Sequence, residues 1–222
     1  MKNGQSQSLT DFIPDDIFVG TSLILRDKER FLYGIRPVRC GARHQILELT
    51  GIGGGMEDDD KSLSAGALRE AQEEIGCEVR LMACQETLIV RGQNDVQRLL
   101  PAGDERPAAL VFRNYRTPPH QPWSLMHQGP TCLIVFLAEL QGQPYPAMEL
   151  PYLIWLQPAH ILQTARQDIR LRKLLTTGAS LIVGKSGVPP AESWVRMTDS
   201  QEALALALGE ATSSFYQSLC AD

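Results

Sequence analysis

The chain has 222 residues, of which 43% are hydrophobic and 21% charged, the balance of a globular protein long enough to bury a sizeable core. Its formal net charge of −5 argues against bulk electrostatic binding to duplex nucleic acid. Residues 1–16 are polar and the apolar run 17–25 is too short for a membrane span or signal peptide, so the expected setting is the cytoplasm, with no membrane partner.

In chain order, residues 17–26 and 31–36 read as two strands joined by the charged turn 27–30, and 45–50 as a third short apolar run. A glycine turn follows, Gly53, Gly54 and Gly55, and then an acidic loop, 57–60. A helix is predicted over 62–75, with Asp60 or Ser62 as N-cap and Gly76 as a left-handed C-cap. Beyond it, 78–91, 109–116 and 131–140 read as strands, with 92–107 and 117–130 as their connections. Residues 152–156 form a further strand, and Pro158 opens a helix running to about 176, since proline suits a first helical turn. Residues 180–185 and 194–197 look extended. The last segment, 200–219, places Leu204, Leu208, Ala211, Phe215 and Leu219 on one helical stripe, which packs back on the domain or forms a homodimer contact.

Cys40, Cys77, Cys84, Cys132 and Cys220 are odd in number and contain no C-x-x-C pair, so they are read as thiols rather than as a disulfide framework or zinc site. His44, His120, His127 and His160 lack metal-ligand spacing and are read as surface or packing residues.

The chemistry lies in the helix over 62–75. At about 100° per residue, Glu70, Glu73 and Glu74 fall within an arc of roughly 100°, while Leu68, Ala71 and Ile75 gather on the far side for the core. Such a face is usually only solvated. Here, however, Glu70 and Glu74 repel at i,i+4 near a helix C-terminus, where the dipole disfavours anions, and a divalent cation would offset that cost. Hard oxygen ligands from one helical turn suit Mg²⁺ or Mn²⁺.

These residues resemble the box of the Nudix hydrolases: Gly, five residues, Glu, seven residues, then Arg-Glu-aliphatic-any-Glu-Glu-any-Gly-aliphatic. Gly55, Arg69, Glu70, Ala71, Glu73, Glu74, Gly76 and Cys77 stand in the corresponding places. Two departures stand out. Lys61 replaces the first box Glu, and the acidic loop is one residue longer; in the family that Glu commonly pairs with the box Arg, so Asp60 or Asp59 is expected to take its place beside Arg69.

The resemblance implies an α/β fold, a Nudix-like α/β/α sandwich with a mixed sheet, over 17–178, preceded by an arm at 1–16 and followed by a C-terminal helical extension at 179–222. It implies metal-dependent hydrolysis of a phosphoanhydride bond in a nucleoside diphosphate linked to another moiety, with Mg²⁺ or Mn²⁺ held by Glu70, Glu73, Glu74 and a backbone carbonyl of Gly54 or Gly55. Glu73 or Glu149 is the expected general base, Glu139 is held in reserve, and Arg69 completes the catalytic set. Arg36, with Arg39 and Arg43 after it, and the Gly54 backbone are expected at the substrate phosphates. The partner is then a small nucleotide-type molecule. The alternative reading is a catalytically weak Nudix-like domain serving as a nucleotide sensor or interaction module, motivated by Lys61.

Overall fold

The computed structural model describes residues 9–40, 44–92, 95–100, 105–114, 130–147, 150–198, 201 and 205. Their organising pair is β1 (Phe18–Asp27) and β8 (Pro130–Leu140), parallel neighbours in register from Phe18 opposite Thr131 to Arg26 opposite Glu139. Both strands are covered on two faces, which explains runs such as Cys132 to Ala138 that are apolar almost without alternation. β2 (Arg30–Cys40) returns antiparallel to the end of β1, then pairs along one edge with β3 (His44–Thr50) and along the other with β9 (Tyr152–Leu156).

On the β8 side the sheet continues through β7 (Ala109–Asn114), β5 (Thr87–Gly92) and β6 (Asp95–Leu99), while β4 (Val79–Met82) pairs with the far end of β8. On the β2 side, β11 (Ser180–Val183) adds to β9, and β12 (Trp194–Met197) runs parallel to β3 and pairs with the short β10 (Ile169–Arg170). Parallel and antiparallel neighbours make this a mixed α/β sheet with few helices.

The helices lie on opposite faces, as the alternation of β9 demonstrates. Leu153 and Trp155 pack in the cluster containing Ala67, Ala71 and Ile75 of α1 (Leu63–Ile75). Tyr152, Ile154 and Leu156 pack in the cluster containing Ile161 and Ala165 of α2 (Pro158–Arg166) and Leu171 and Leu174 of α3 (Leu171–Thr176). The layers are therefore α/β/α. Gln201 and Ala205 are buried as well, Ala205 in the cluster of α2 and α3; the stripe expected over 200–219, Leu204, Leu208, Ala211, Phe215 and Leu219, lies outside the described residues. Among the described residues, no helix is long and apolar enough to cross a membrane.

Several elements differ from the sequence expectation. The strand expected over 78–91 is two strands, β4 and β5, because each serves a different partner: β4 pairs with the end of β8 and β5 runs parallel to β7. The connection expected over 92–107 contains β6, an edge strand whose exposed Asp95, Gln97 and Arg98 mask its pairing with β5. The helix expected over 158–176 is interrupted at 167–170, where Ile169 and Arg170 pair with Val195 and Trp194 and Arg196 binds Asp168 through both carboxylate oxygens. Leu68 is exposed rather than in the core; Ala67, Ala71 and Ile75 form the buried stripe.

Candidate functional site

Helix α1 forms where the sequence places it and is closed at both ends. Ser62 Oγ accepts from the Ala65 N–H at 3.1 Å, and Gly76 adopts the left-handed conformation, φ 58°, donating its N–H to the Gln72 carbonyl. A second cap was not legible in the sequence: Glu105 Oε1 accepts from the Ser64 N–H at 2.8 Å, from 41 residues away. The far end of α1 is fastened by the segment before β9, since Tyr145 and Ala147 donate to the carbonyls of Ile75 and Glu74.

The glycine turn is laid against β1. Thr21 N–H donates to the Gly54 carbonyl and Leu23 N–H to the Ile52 carbonyl, both at 2.8 Å. α1 is then tied onto the turn from the other side. Glu74 Oε2 accepts from the Gly53 N–H at 2.8 Å, and Arg69 Nη2 donates to the Gly55 carbonyl at 2.9 Å. Between them Glu70 approaches Gly54 so closely that a Cβ there would lie 2.5 Å from Glu70 Oε1, a contact only glycine permits.

Arg69 is the hub of the carboxylates. It binds both oxygens of Asp60, at 3.2 and 3.1 Å, as well as Glu70 at 2.8 Å and Glu73 at 3.2 Å, and Glu57 lies 3.5 Å away. Asp60 thus supplies the anion that Lys61 cannot, as the longer acidic loop led one to expect; Lys61 itself is exposed. The hydrogen bond to Arg69 and that from the Glu57 N–H hold the Asp60 carboxyl below its ordinary range. Glu70 shifts the other way: burial pushes its carboxyl up, and the hydrogen bond and charge of Arg69 only partly oppose this. Arg69 is correspondingly held even more firmly in its charged form.

The three box glutamates differ in environment. Glu70 and Glu74 are buried, while the Glu73 side chain is 42% exposed and borders solvent. An open depression is lined by Met56, Glu57, Asp58 and Asp59, of which Glu57 lies 3.5 Å from Arg69; none of the three glutamates lines it. Residues 57–74 carry seven acidic and two basic side chains, an excess of five negative charges equal to the formal net charge of the whole chain. This all-oxygen donor set with surplus negative charge fits a hard divalent cation in chemistry. In arrangement it is committed elsewhere, since among the described residues no three acidic, histidine or cysteine side chains are grouped as a ready metal cage.

No protein-family model matches the chain, and no curated protein is similar to it. Solved structures are. Nudix hydrolases are among them. A hydrolase of the Nudix family from Clostridium perfringens aligns at 15% identity and TM-score 0.43, over 66% of this chain and 85% of that one. A MutT protein from Methanosarcina mazei aligns at 17% and 0.43, over 66% and 81%. A protein from Jonesia denitrificans described as a possible asymmetric diadenosine tetraphosphate hydrolase aligns at 12% and 0.48, over 94% and 99%.

The other residues singled out in the sequence lie outside the segment Gly55–Cys77. Arg36 is half-buried in β2, opposite Glu48 of β3. Arg39 lies further along β2, opposite Gln45, and its side chain, like Arg43 and Glu149, lies outside the described residues. Glu139 at the end of β8 is engaged by Arg80, and Arg26 lies 3.9 Å from it. Cys84 and Cys132 are buried thiols whose pKa values burial pushes up to about 11 and about 12, consistent with packing roles. His160 is also structural: its Nδ1 accepts from the Gln157 N–H at 3.3 Å, so Nε2 carries the proton and donates to Thr177 Oγ, 2.9 Å away.

Proposed function

We propose that this chain is a Nudix-type pyrophosphohydrolase, cleaving a phosphoanhydride in a nucleoside diphosphate linked to another group with the help of Mg²⁺ or Mn²⁺. The observation that carries the reading is the locking of one helical turn onto a glycine turn. Glu74 on Gly53, Glu70 against Gly54 and Arg69 on Gly55 bring carboxylates and the glycine-turn backbone together at one point.

Glu70, Glu73 and Glu74, with the Gly55 carbonyl, are the groups that would hold the ion. A divalent cation held there would supply neutralisation of phosphate oxygens and a more acidic water molecule. The chain's own residues do the rest. Arg69 donates to Glu70 and Glu73 through Nη1 and offsets their mutual repulsion. Glu73, whose Oε2 is taken by Arg69, presents Oε1 as proton acceptor for the attacking water; Glu149 is the other candidate base. Arg36, Arg39 and the Gly54 backbone bind and orient the phosphates. The Asp60–Arg69 contacts favour this reading over the alternative motivated by Lys61, a catalytically weak sensor or interaction domain, which turnover abolished by Glu73→Gln would exclude.

The test is hydrolysis of a panel of nucleotide sugars, dinucleoside polyphosphates, coenzyme A, NADH, (d)NTPs and capped RNA with each metal. Turnover of a nucleoside diphosphate derivative that chelator abolishes is the expected result. Folded protein inactive on the whole panel would refute the reading.

A further inference from the structure

Arg69 has five N–H donors, and every one of them is engaged. Nε and one Nη2 hydrogen meet the two oxygens of Asp60, and the other Nη2 hydrogen meets the Gly55 carbonyl. The two Nη1 hydrogens meet Glu70 Oε1 and Glu73 Oε2, and Glu57 Oε1 is 3.5 Å from the same nitrogen. The guanidinium therefore has two ends with different duties. One edge is anchored by a two-point carboxylate fork and a backbone carbonyl. The other end stands among three carboxylates of the cluster.

The anchor is itself fixed. The Asp60 side chain is only 6% exposed and its Oδ2 also accepts from the Glu57 N–H at 2.8 Å, which ties the acidic loop to the same point. A fork of this kind sets the plane of the guanidinium as well as its position. Nη1 is consequently not a mobile charge that can withdraw from the glutamates.

We propose that Asp60 is a positioning residue that holds Arg69 as the resident cation of this carboxylate cluster, and that a divalent metal ion binds in competition with it. The inference rests on the metal-dependent reading given above. Without metal, Nη1 screens the mutual repulsion of Glu57, Glu70 and Glu73. A divalent ion sharing Glu70 and Glu73 with a fixed guanidinium is repelled by it, because unscreened charges a few ångströms apart in a half-buried site interact strongly. Arg69 thus stabilises the metal-free protein and weakens metal binding at once. A purely architectural arginine has the opposite signature: its loss would disorganise the ligands and weaken binding.

Calorimetric titration with Mn²⁺ alone, paired with thermal unfolding in chelator, separates the two on wild type, Arg69→Gln, Arg69→Lys and Asp60→Asn. Arg69→Gln should bind Mn²⁺ about tenfold more tightly than wild type and melt at a lower temperature without metal. Arg69→Lys, which keeps the charge but loses the fork, should fall between them, and it carries the test if the glutamine variant does not fold. Asp60→Asn should lower the metal-free melting temperature in wild type and add nothing in the Arg69→Gln background, because Asp60 acts through Arg69. Wild type that binds no Mn²⁺ would overturn the metal-dependent reading itself. Wild type that binds while both Arg69 variants bind equally or more weakly, or an additive effect of Asp60→Asn, would overturn only this inference.

Discussion

Adding one methyl group at Gly54 tests whether the glycine turn and the carboxylate turn of α1 form one unit. The alanine Cβ would lie 2.5 Å from Glu70 Oε1 and 2.7 Å from its Cδ and Oε2. Ordinary contact begins about an ångström further out, so the Glu70 carboxylate must move by that amount. The movement breaks its 2.8 Å bond to Arg69 Nη1, between side chains 11% and 22% exposed. A charge-assisted hydrogen bond in such a place is worth about 1.5–3 kcal/mol. At about 2–4 °C per kcal/mol for a chain of this size, Gly54→Ala should melt roughly 3–12 °C below wild type in chelator. Displacement of a ligand by an ångström should also reduce turnover on the best panel substrate by about a hundredfold. The decisive control is a double-mutant cycle: in a Glu70→Ala background the clash is gone, and the same methyl group should cost little further stability. Equal costs of Gly54→Ala in both backgrounds would refute the reasoning, because the loss would then come from the backbone and not from Glu70.

Glu73→Gln should reduce turnover by orders of magnitude while changing metal-free stability by less than about 1 kcal/mol, since its pair with Arg69 is 42% exposed on the Glu73 side; unchanged turnover would remove Glu73 from the site. Burial raises the Glu70 pKa above its ordinary 4.5, so its favourable contribution is full below that value and is lost as pH rises through the folded-state pKa. The chelated Glu70→Gln variant should therefore gain more melting temperature than wild type between about pH 4 and pH 7, and an equal gain would count against the buried carboxylate. Asp60 has the opposite sign, its contribution being present above 3.8 and lost as pH falls through its lowered pKa, so Asp60→Asn should flatten the acid side of the stability profile. His160→Ala leaves the Gln157 N–H and Thr177 hydroxyl without their ring partner and should cost about 1–3 kcal/mol in thermal unfolding, with turnover unchanged in the folded protein.

The parts that were legible in the sequence are those fixed by local chemistry. Ser62, Gly76 and the apolar stripe between them specify α1 within a residue, and apolar runs, uninterrupted in β9 and through Cys132–Ala138 of β8, specify β1, β8 and β9. The same holds for an acidic-loop partner of Arg69, expected as Asp60 or Asp59 from loop length and charge and found to be Asp60. What was not legible depends on distant partners. Ile169 and Arg170 leave the helix only because Trp194 and Val195 offer a strand, and nothing in residues 158–176 announces that. Glu105 caps α1 across 41 residues, and Leu68 is left exposed because Ala67 and Ala71 suffice to seat the helix on β1. The burial of Glu70 was likewise invisible on a helical wheel, since it comes from the glycine turn and not from the helix.

Because residues 57–74 hold a charge surplus equal to that of the entire chain, the remainder is formally neutral, and the net negative charge is that of one acidic lobe. Over roughly the 8 Å that physiological salt allows, that lobe draws divalent cations inward and turns free polyphosphates away. For the nucleotide substrate proposed above, a bare molecule meets a barrier that added salt lowers, whereas one already chelated approaches with much of its charge cancelled. The substrate proposed for this chain should then arrive faster as its metal complex than as the free nucleotide.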